Sequence, residues 1–384
     1  MKQVYFDNAA TTPMRKEVVE VMTAVMQNNF GNPSSTHSFG RHSRALIEQA
    51  RKTVANSLNC SAGEIIFTSG GTEADNLVLR SAVRDLGIKN IISSKIEHHA
   101  VLHTLDQLAE EYNIELSFLN LDSKGGIDTN HLKTLLASDK PTLVSLMHVN
   151  NEIGTILDLQ KVAELCKASG ALLHSDAVQS IGHYPINLQQ TPVDFLAAAA
   201  HKFHGPKGVG FAFIRKNTGL KPLIFGGEQE RGLRAGTEST HNIVGLSTAL
   251  ELADKNFEAE HQKVKDLKSY FMTSLKDAIP AVKFNGYSGD LEKSTYTLVN
   301  VCLPVNAQKA SMLLFQLDLK GIACSKGSAC QSGSNQNSHV LNEILEEADL
   351  QKPSVRFSFS IFNSKDEVDY VVSVLKENIL STVS

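Results

Sequence analysis

Six short apolar runs constrain this chain more than any other feature: EIIFTS (64–69), NIISS (90–94), IELSFLN (114–120), TLVSLMHV (142–149), ALLHSD (171–176) and VDFLAAA (193–199). Within each run the hydrophobicity is largely continuous, the pattern of a strand buried on both faces. Segments of helical character separate the runs, and strands alternating with helices predict a mostly parallel α/β sheet. VDFLAAAA is ambiguous, because alanine favours helix. Its brevity and the HKFHGPKG turn after it predict a strand. Upstream, residues 14–30 and 40–59 carry helical spacing, with Ala45, Leu46, Gln49, Ala50, Thr53 and Val54 recurring at i, i+3, i+4. From about residue 251 the texture changes, and ELADKNFEAEHQKVKDLKSYFMTSLKDA reads as one charged helix. The expected organisation is a large domain over 14–250 with a seven-stranded type of sheet. Residues 1–13 and 251–384 would form a smaller α+β domain.

A chain of 384 residues is long enough for two such cores. Its 37 basic and 41 acidic side chains leave a net charge of −4, which argues against a broad nucleic-acid surface. The start, MKQVYFDNAATTP, shows no hydrophobic signal region, and no apolar run approaches the ~20 residues that span a bilayer. Five cysteines (Cys60, Cys166, Cys302, Cys324 and Cys330) form no dense framework and read as reduced thiols of a cytoplasmic protein.

Ligands of open α/β sheets sit at the carboxyl ends of strands, and three such ends here carry chemistry. FTSGGTEADN (67–76) runs from a strand through two glycines into a helix start, where exposed amides suit a phosphate. It lacks P-loop spacing, and the plain alternative is a glycine turn with a threonine N-cap. ALLHSD ends on Asp176, either a solvated carboxylate or a buried anion that keeps a heterocyclic nitrogen protonated. AAAAHKFHGPKG stops a run of small residues at Lys202, either a surface lysine or an amine that forms a Schiff base. Together, a phosphate loop, an acid for a pyridinium and a Schiff-base lysine are the three anchors of pyridoxal 5′-phosphate (PLP).

At this point a resemblance enters. The ordered stretches are YFDNAATTP (5–13), GNPSSTHSFGR (31–41), TSGGTEADN (68–76), EHHAVL (97–102), HVNNEIGT (148–155), HSDAVQSIG (174–182), HKFHGPKGVG (201–210), QERGLRAGTES (229–239), GSAC (327–330) and VRFS (355–358). By these the chain resembles the cysteine desulfurases of the NifS/IscS group, on the class-V aminotransferase branch of the fold-type-I PLP scaffold. The resemblance implies that Lys202 holds the cofactor covalently, Asp176 pairs with its ring nitrogen and His98 stacks on the ring and moves protons. It implies that Gln179 and Asn151 reach the phenolic oxygen, and that Gly71, Thr72 and His201 hold the phosphate. Thr237 would complete the phosphate site of a second subunit, making a homodimer. Arg356 would take the carboxylate of the substrate L-cysteine. Cys330 would take its sulfur as a persulfide, release L-alanine and pass the sulfur to an acceptor such as an iron–sulfur scaffold or a tRNA-thiolation relay.

Cys330 lies in CSKGSACQSGSNQNS (324–338), whose Gly, Ser and Asn content predicts a mobile loop. Two departures from the family pattern stand out: Ala199 replaces a serine expected to touch the phosphate, and QSGSNQNSHV replaces a more apolar continuation after the cysteine. Three rival classes are weaker. A metal site is not expected, since no C-x₂-C pair accompanies Cys324, Cys330 and the His99/His103 pair. Plain transamination leaves GSAC without a role, and a non-catalytic iron–sulfur scaffold leaves Lys202 and Cys330 without one, whereas selenocysteine lysis stays open as the alternative PLP reaction.

Overall fold

The computed structural model describes residues 2–305, 307–326 and 338–380. A two-residue strand, Val4–Tyr5 (β1), precedes seven that form one sheet. These are Ile65–Thr68 (β2), Asn90–Ser93 (β3), Glu115–Phe118 (β4), Thr142–Ser145 (β5), Leu172–Asp176 (β6), Phe195–Ala199 (β7) and Gly210–Ile214 (β8). Their order is β2-β8-β7-β6-β5-β3-β4. Strand β8 runs antiparallel to both of its neighbours and the remaining pairs are parallel. All six apolar runs therefore supply a strand, and GVGFAFIR supplies the seventh.

The continuous hydrophobicity has a direct structural cause. Successive side chains of a strand point to opposite faces, and here each face has its own core. Ile65, Phe67, Ile92, Val144, Leu173, Leu196, Ala198 and Phe211 join one, beneath helices Lys16–Asn28, Ser38–Ser57, Leu159–Ser169 and Thr240–Lys255. Ile66, Ile91, Leu143, Phe195, Ala197 and Ala212 join the other, beneath helices Gly71–Leu86 and His99–Tyr112. Burying each large side chain is worth about 1.5–3 kcal/mol, so both faces must read apolar. Strand β4 departs from the expectation. It is the sheet edge, with Glu115 exposed and its other residues half-buried.

A third core collects Val4, Phe6, Phe271, Leu275, Val299, Val301, Phe357, Phe359 and Leu375. Its sheet is Lys283–Phe284 (β9), Leu298–Cys302 (β10) and Ser354–Ser358 (β12), antiparallel with β10 central. Strand β1 pairs with Ile322–Ala323 (β11), so the first residues of the chain are sewn into its C-terminal part. The single charged helix expected over 251–278 is two helices. Thr240–Lys255 stops at Asn256, whose φ of −104° and ψ of 7° leave the helical region, and Phe257–Ala278 begins after it. The first of the two carries Leu250 and Leu252 into the large-sheet core. Among the described residues no helix is long and apolar enough to cross a membrane.

Candidate active site

The carboxyl ends of β2, β6 and β7 open into a cavity of about 220 Å³. Its first wall is the start of helix Gly71–Leu86. Gly70 is the N-cap, at φ 156°, a backbone conformation that side chains rarely adopt. Thr72 is thus not the cap but an exposed residue of the first turn, where backbone N–H groups lack helical acceptors. A Cβ on Gly71 would stand 2.5 Å from Val178 Cγ2, so glycine alone lets the helix start approach the cavity wall.

Opposite elements bring the charged groups. Asp176 ends β6, buried, and accepts a hydrogen bond from the Val178 amide at 2.9 Å. Burial, then the neighbouring Asp75, pushes its carboxyl up to about 7. Lys202 does not end β7, which stops at Ala199. It closes the short 3₁₀ turn that follows. Its Nζ donates to the carbonyls of Ala9 at 2.6 Å and Ala10 at 2.9 Å. Gln179 Nε2 donates to the same Ala9 carbonyl at 2.9 Å. His201 pairs through Nδ1 with Thr11 Oγ1 at 3.2 Å, and Thr12 donates twice to the His201 carbonyl. Burial, then Lys202, lowers the His201 imidazole to about 4, so it is neutral near pH 7.

His98 is both a cavity residue and the cap of helix His99–Tyr112: its Nδ1 accepts from the Ala100 amide at 3.1 Å. That bond places the proton of the neutral ring on Nε2. Burial, then Lys202, lowers this imidazole also to about 4. Arg356, on β12, is 1% exposed. Its Nη1 donates to the Asn151 carbonyl at 2.7 Å and its Nη2 to Asp7 Oδ1 at 2.9 Å. Ser325 Oγ donates to the same Asp7 oxygen at 2.7 Å, and Ser325 and Arg356 exchange backbone hydrogen bonds.

Of the residues singled out in the sequence, Gly71, Thr72, His98, Asn151, Asp176, Gln179, His201, Lys202 and Arg356 line this one cavity. Thr237 does not. It is exposed and lines a separate pocket with Thr68, Ser69, Gly208 and Arg234. That stretch is held by Arg234, whose Nε donates to Glu73 at 2.9 Å, and by a buried fork of Arg51 on Glu230 at 2.7 and 2.8 Å. Glu230 and Arg231 both sit at positive φ, 47° and 60°, in a tight left-handed turn before Thr237. Cys330 lies outside the described residues. Sequence reasoning missed Asp7, Ala9, Ala10 and Asp75; YFDNAATTP was visible as a motif, but nothing in it says that its carbonyls meet Lys202.

The donor set suits a ligand with three distinct ends. Amides at a helix start suit a phosphate, a buried carboxyl suits a protonated ring nitrogen, and the Lys202 amine suits an aldehyde. These residues fit PLP: Gly71, Thr72 and His201 could hold its phosphate, Asp176 its ring nitrogen and Lys202 its aldehyde. The family pattern described as Aminotransferase class-V matches residues 4–371, and the chain belongs to that family. Among its relatives, the cysteine desulfurase IscS of Dictyoglomus turgidum (strain DSM 6724 / Z-1310) is 41% identical over 387 residues, covering 100% of this chain and 96% of that one. A solved NifS-like protein superposes with a TM-score of 0.90 at 34% identity, over 99% of this chain and 100% of that one. A structure described as SspA in complex with cysteine superposes with a TM-score of 0.77 at 30% identity, over 94% and 99% of the two chains.

Proposed function

We propose that this chain is a cysteine desulfurase that takes sulfur from L-cysteine and leaves L-alanine. The observation that carries the reading is the meeting of Lys202, Asp176, the Gly71 helix start and buried Arg356 around one cavity. PLP, when bound, supplies an electron sink that labilises the bonds of the substrate's α-carbon.

The chain's own residues do the rest. Arg356, held from behind by Asn151 and Asp7, presents a fixed cation to the substrate carboxylate. Lys202 and the neutral His98, with its proton on Nε2, are the groups at hand to accept and return protons. Cys330 is the sulfur acceptor. Its thiolate forms the S–S bond while the substrate C–S bond breaks, and that electron pair stays with the carbon fragment that leaves as alanine. The other cysteines are poorly suited to the task. Burial pushes the Cys60 and Cys166 thiols up to about 12 and raises those of Cys302 and Cys324.

The separate cores support a division into a large domain over 14–250 and a smaller one built from 1–13 and 251–384. Exposed Thr237, apart from its own cavity, supports a homodimer in which it completes the partner subunit's site. The persulfide would pass to an acceptor protein of iron–sulfur assembly or tRNA thiolation in the cytoplasm. Borohydride reduction of the chain loaded with PLP, followed by peptide mass spectrometry, tests the reading. The label is expected on Lys202, and a label on Lys207 or no label at all overturns it.

A further inference from the structure

Two buried carboxyl groups line the cavity, Asp75 and Asp176, and a third buried one, Glu97, precedes the lining residue His98. Two are accounted for by ordinary hydrogen bonds. Glu97, in the segment after β3, accepts from Ser94 Oγ at 2.7 Å and from the Met147 amide at 2.8 Å. Asp176 accepts from the Val178 amide. Asp75 is the odd one. It lines the cavity from helix Gly71–Leu86, is 1% exposed, and its Oδ1 has no hydrogen-bond partner.

What faces it is equally unsatisfied. His174 and Asp176 are two residues apart on β6 and so share the sheet face that the helix covers. His174 Nε2 stands 3.3 Å from Asp75 Oδ1 and also has no hydrogen-bond partner. The other ring nitrogen, Nδ1, pairs with Ser145 Oγ on β5 at 2.9 Å. With His174 Nδ1 donating to Ser145 Oγ, Nε2 is an acceptor that faces the Asp75 carboxyl, and a single proton between them satisfies both.

Resting on the cofactor reading above, we propose that Asp75 is a positioning residue: it shares one proton with His174 as a neutral pair and leaves Asp176 to carry the negative charge that meets the ring nitrogen. The titration directions agree. Burial pushes the Asp75 carboxyl up to about 8 and the His174 imidazole down to about 4, so the proton rests on Asp75. The other groups around them do not supply it. Glu97 is itself raised by burial, and at Asp176 burial and then Asp75 raise the carboxyl, opposed by the Val178 amide, His174 and Lys202. If Asp75 were ionised, two buried carboxylates would repel one another, and Asp176 would take up the proton in its place.

The proposal separates three variants of one site. Asp75→Asn keeps a donor toward His174 and needs no proton, whereas Asp75→Val and Asp75→Ala remove the donor. Infrared difference spectra of the cofactor-free wild type, with isotopically labelled aspartate, should show a protonated carboxyl band at neutral pH. That band should be lost above about pH 8 and be missing in Asp75→Asn. The PLP dissociation constant should change less than about 3-fold in Asp75→Asn, and should rise about 10-fold or more in Asp75→Val or, if that chain fails to fold, Asp75→Ala. A wild type without the Asp75 band, or an Asp75→Asn variant as weak as the valine one, overturns the proposal. A wild type with the band that takes up no PLP overturns the cofactor reading instead.

Discussion

Ala199 shows how one side chain sets the strength of a site. It is 2% exposed, lines the cavity, and its Cβ is 3.8 Å from where a Cβ on Gly71 would stand. A hydroxyl at this position would face the helix start that suits a phosphate. Ala199→Ser is expected to tighten PLP binding about 10-fold or more, the worth of one hydrogen bond to a charged group. Equilibrium dialysis checks this, and unchanged or weaker binding would place the phosphate elsewhere. Residues of this kind were legible in the sequence because they sit at strand ends beside glycine-rich turns. Asp7, Ala9 and Ala10 were not, because their partners are remote: the Lys202–Ala9 bond spans 193 residues. Asp75 carries no such signal, since a helical aspartate shows its chemistry only once His174 is placed against it.

At the scale of elements, hydrophobic continuity gave the strands and erred mainly at their ends. TLVSLMHV yields a strand only to Ser145, because Met147 and the residues after it turn toward the cavity and its neighbour Glu97. The charged run at 251–278 concealed a break at Asn256, since both flanking helices present charge to solvent and carry apolar stripes to different cores. The second helix hides a lysine that no periodicity distinguishes from its exposed neighbours. Lys268 is fully buried, and its Nζ donates to Ser294 Oγ and the Thr295 carbonyl, both at 2.7 Å. Burial lowers its ammonium to about 7. Between that value and the ordinary one near 10.4, the unfolded chain binds a proton that the folded chain lacks, so stability rises with pH across this window. The slope has a ceiling of about 1.4 kcal/mol per pH unit. Lys268→Met should remove this contribution, seen as a smaller gain in urea midpoint from neutral to about pH 9 than the wild type shows. An equal gain in both proteins would mean that Lys268 stays charged when folded.

At the scale of the molecule, the chain leaves large apolar side chains exposed. Phe30 is 75% exposed and stacks on half-exposed Phe39 at 5.3 Å, and Phe225 is 76% exposed. Exposed aromatic surface of this kind suits an interface. Sedimentation should show a dimer, and Phe225→Asp should shift it toward monomer. Thr237→Ala should keep the dimer but lose PLP faster on dialysis. A wild-type monomer that retains PLP fully would contradict the shared site. The account as a whole stands on sulfur moving from L-cysteine to one named thiol. The most direct measurement is intact and peptide mass spectrometry of the PLP-loaded chain after L-cysteine, with alanine assayed in parallel. The account predicts one added sulfur atom on Cys330, and neither sulfur nor alanine from Cys330→Ser. Sulfur on Cys324, or alanine release that survives Cys330→Ser, would contradict it.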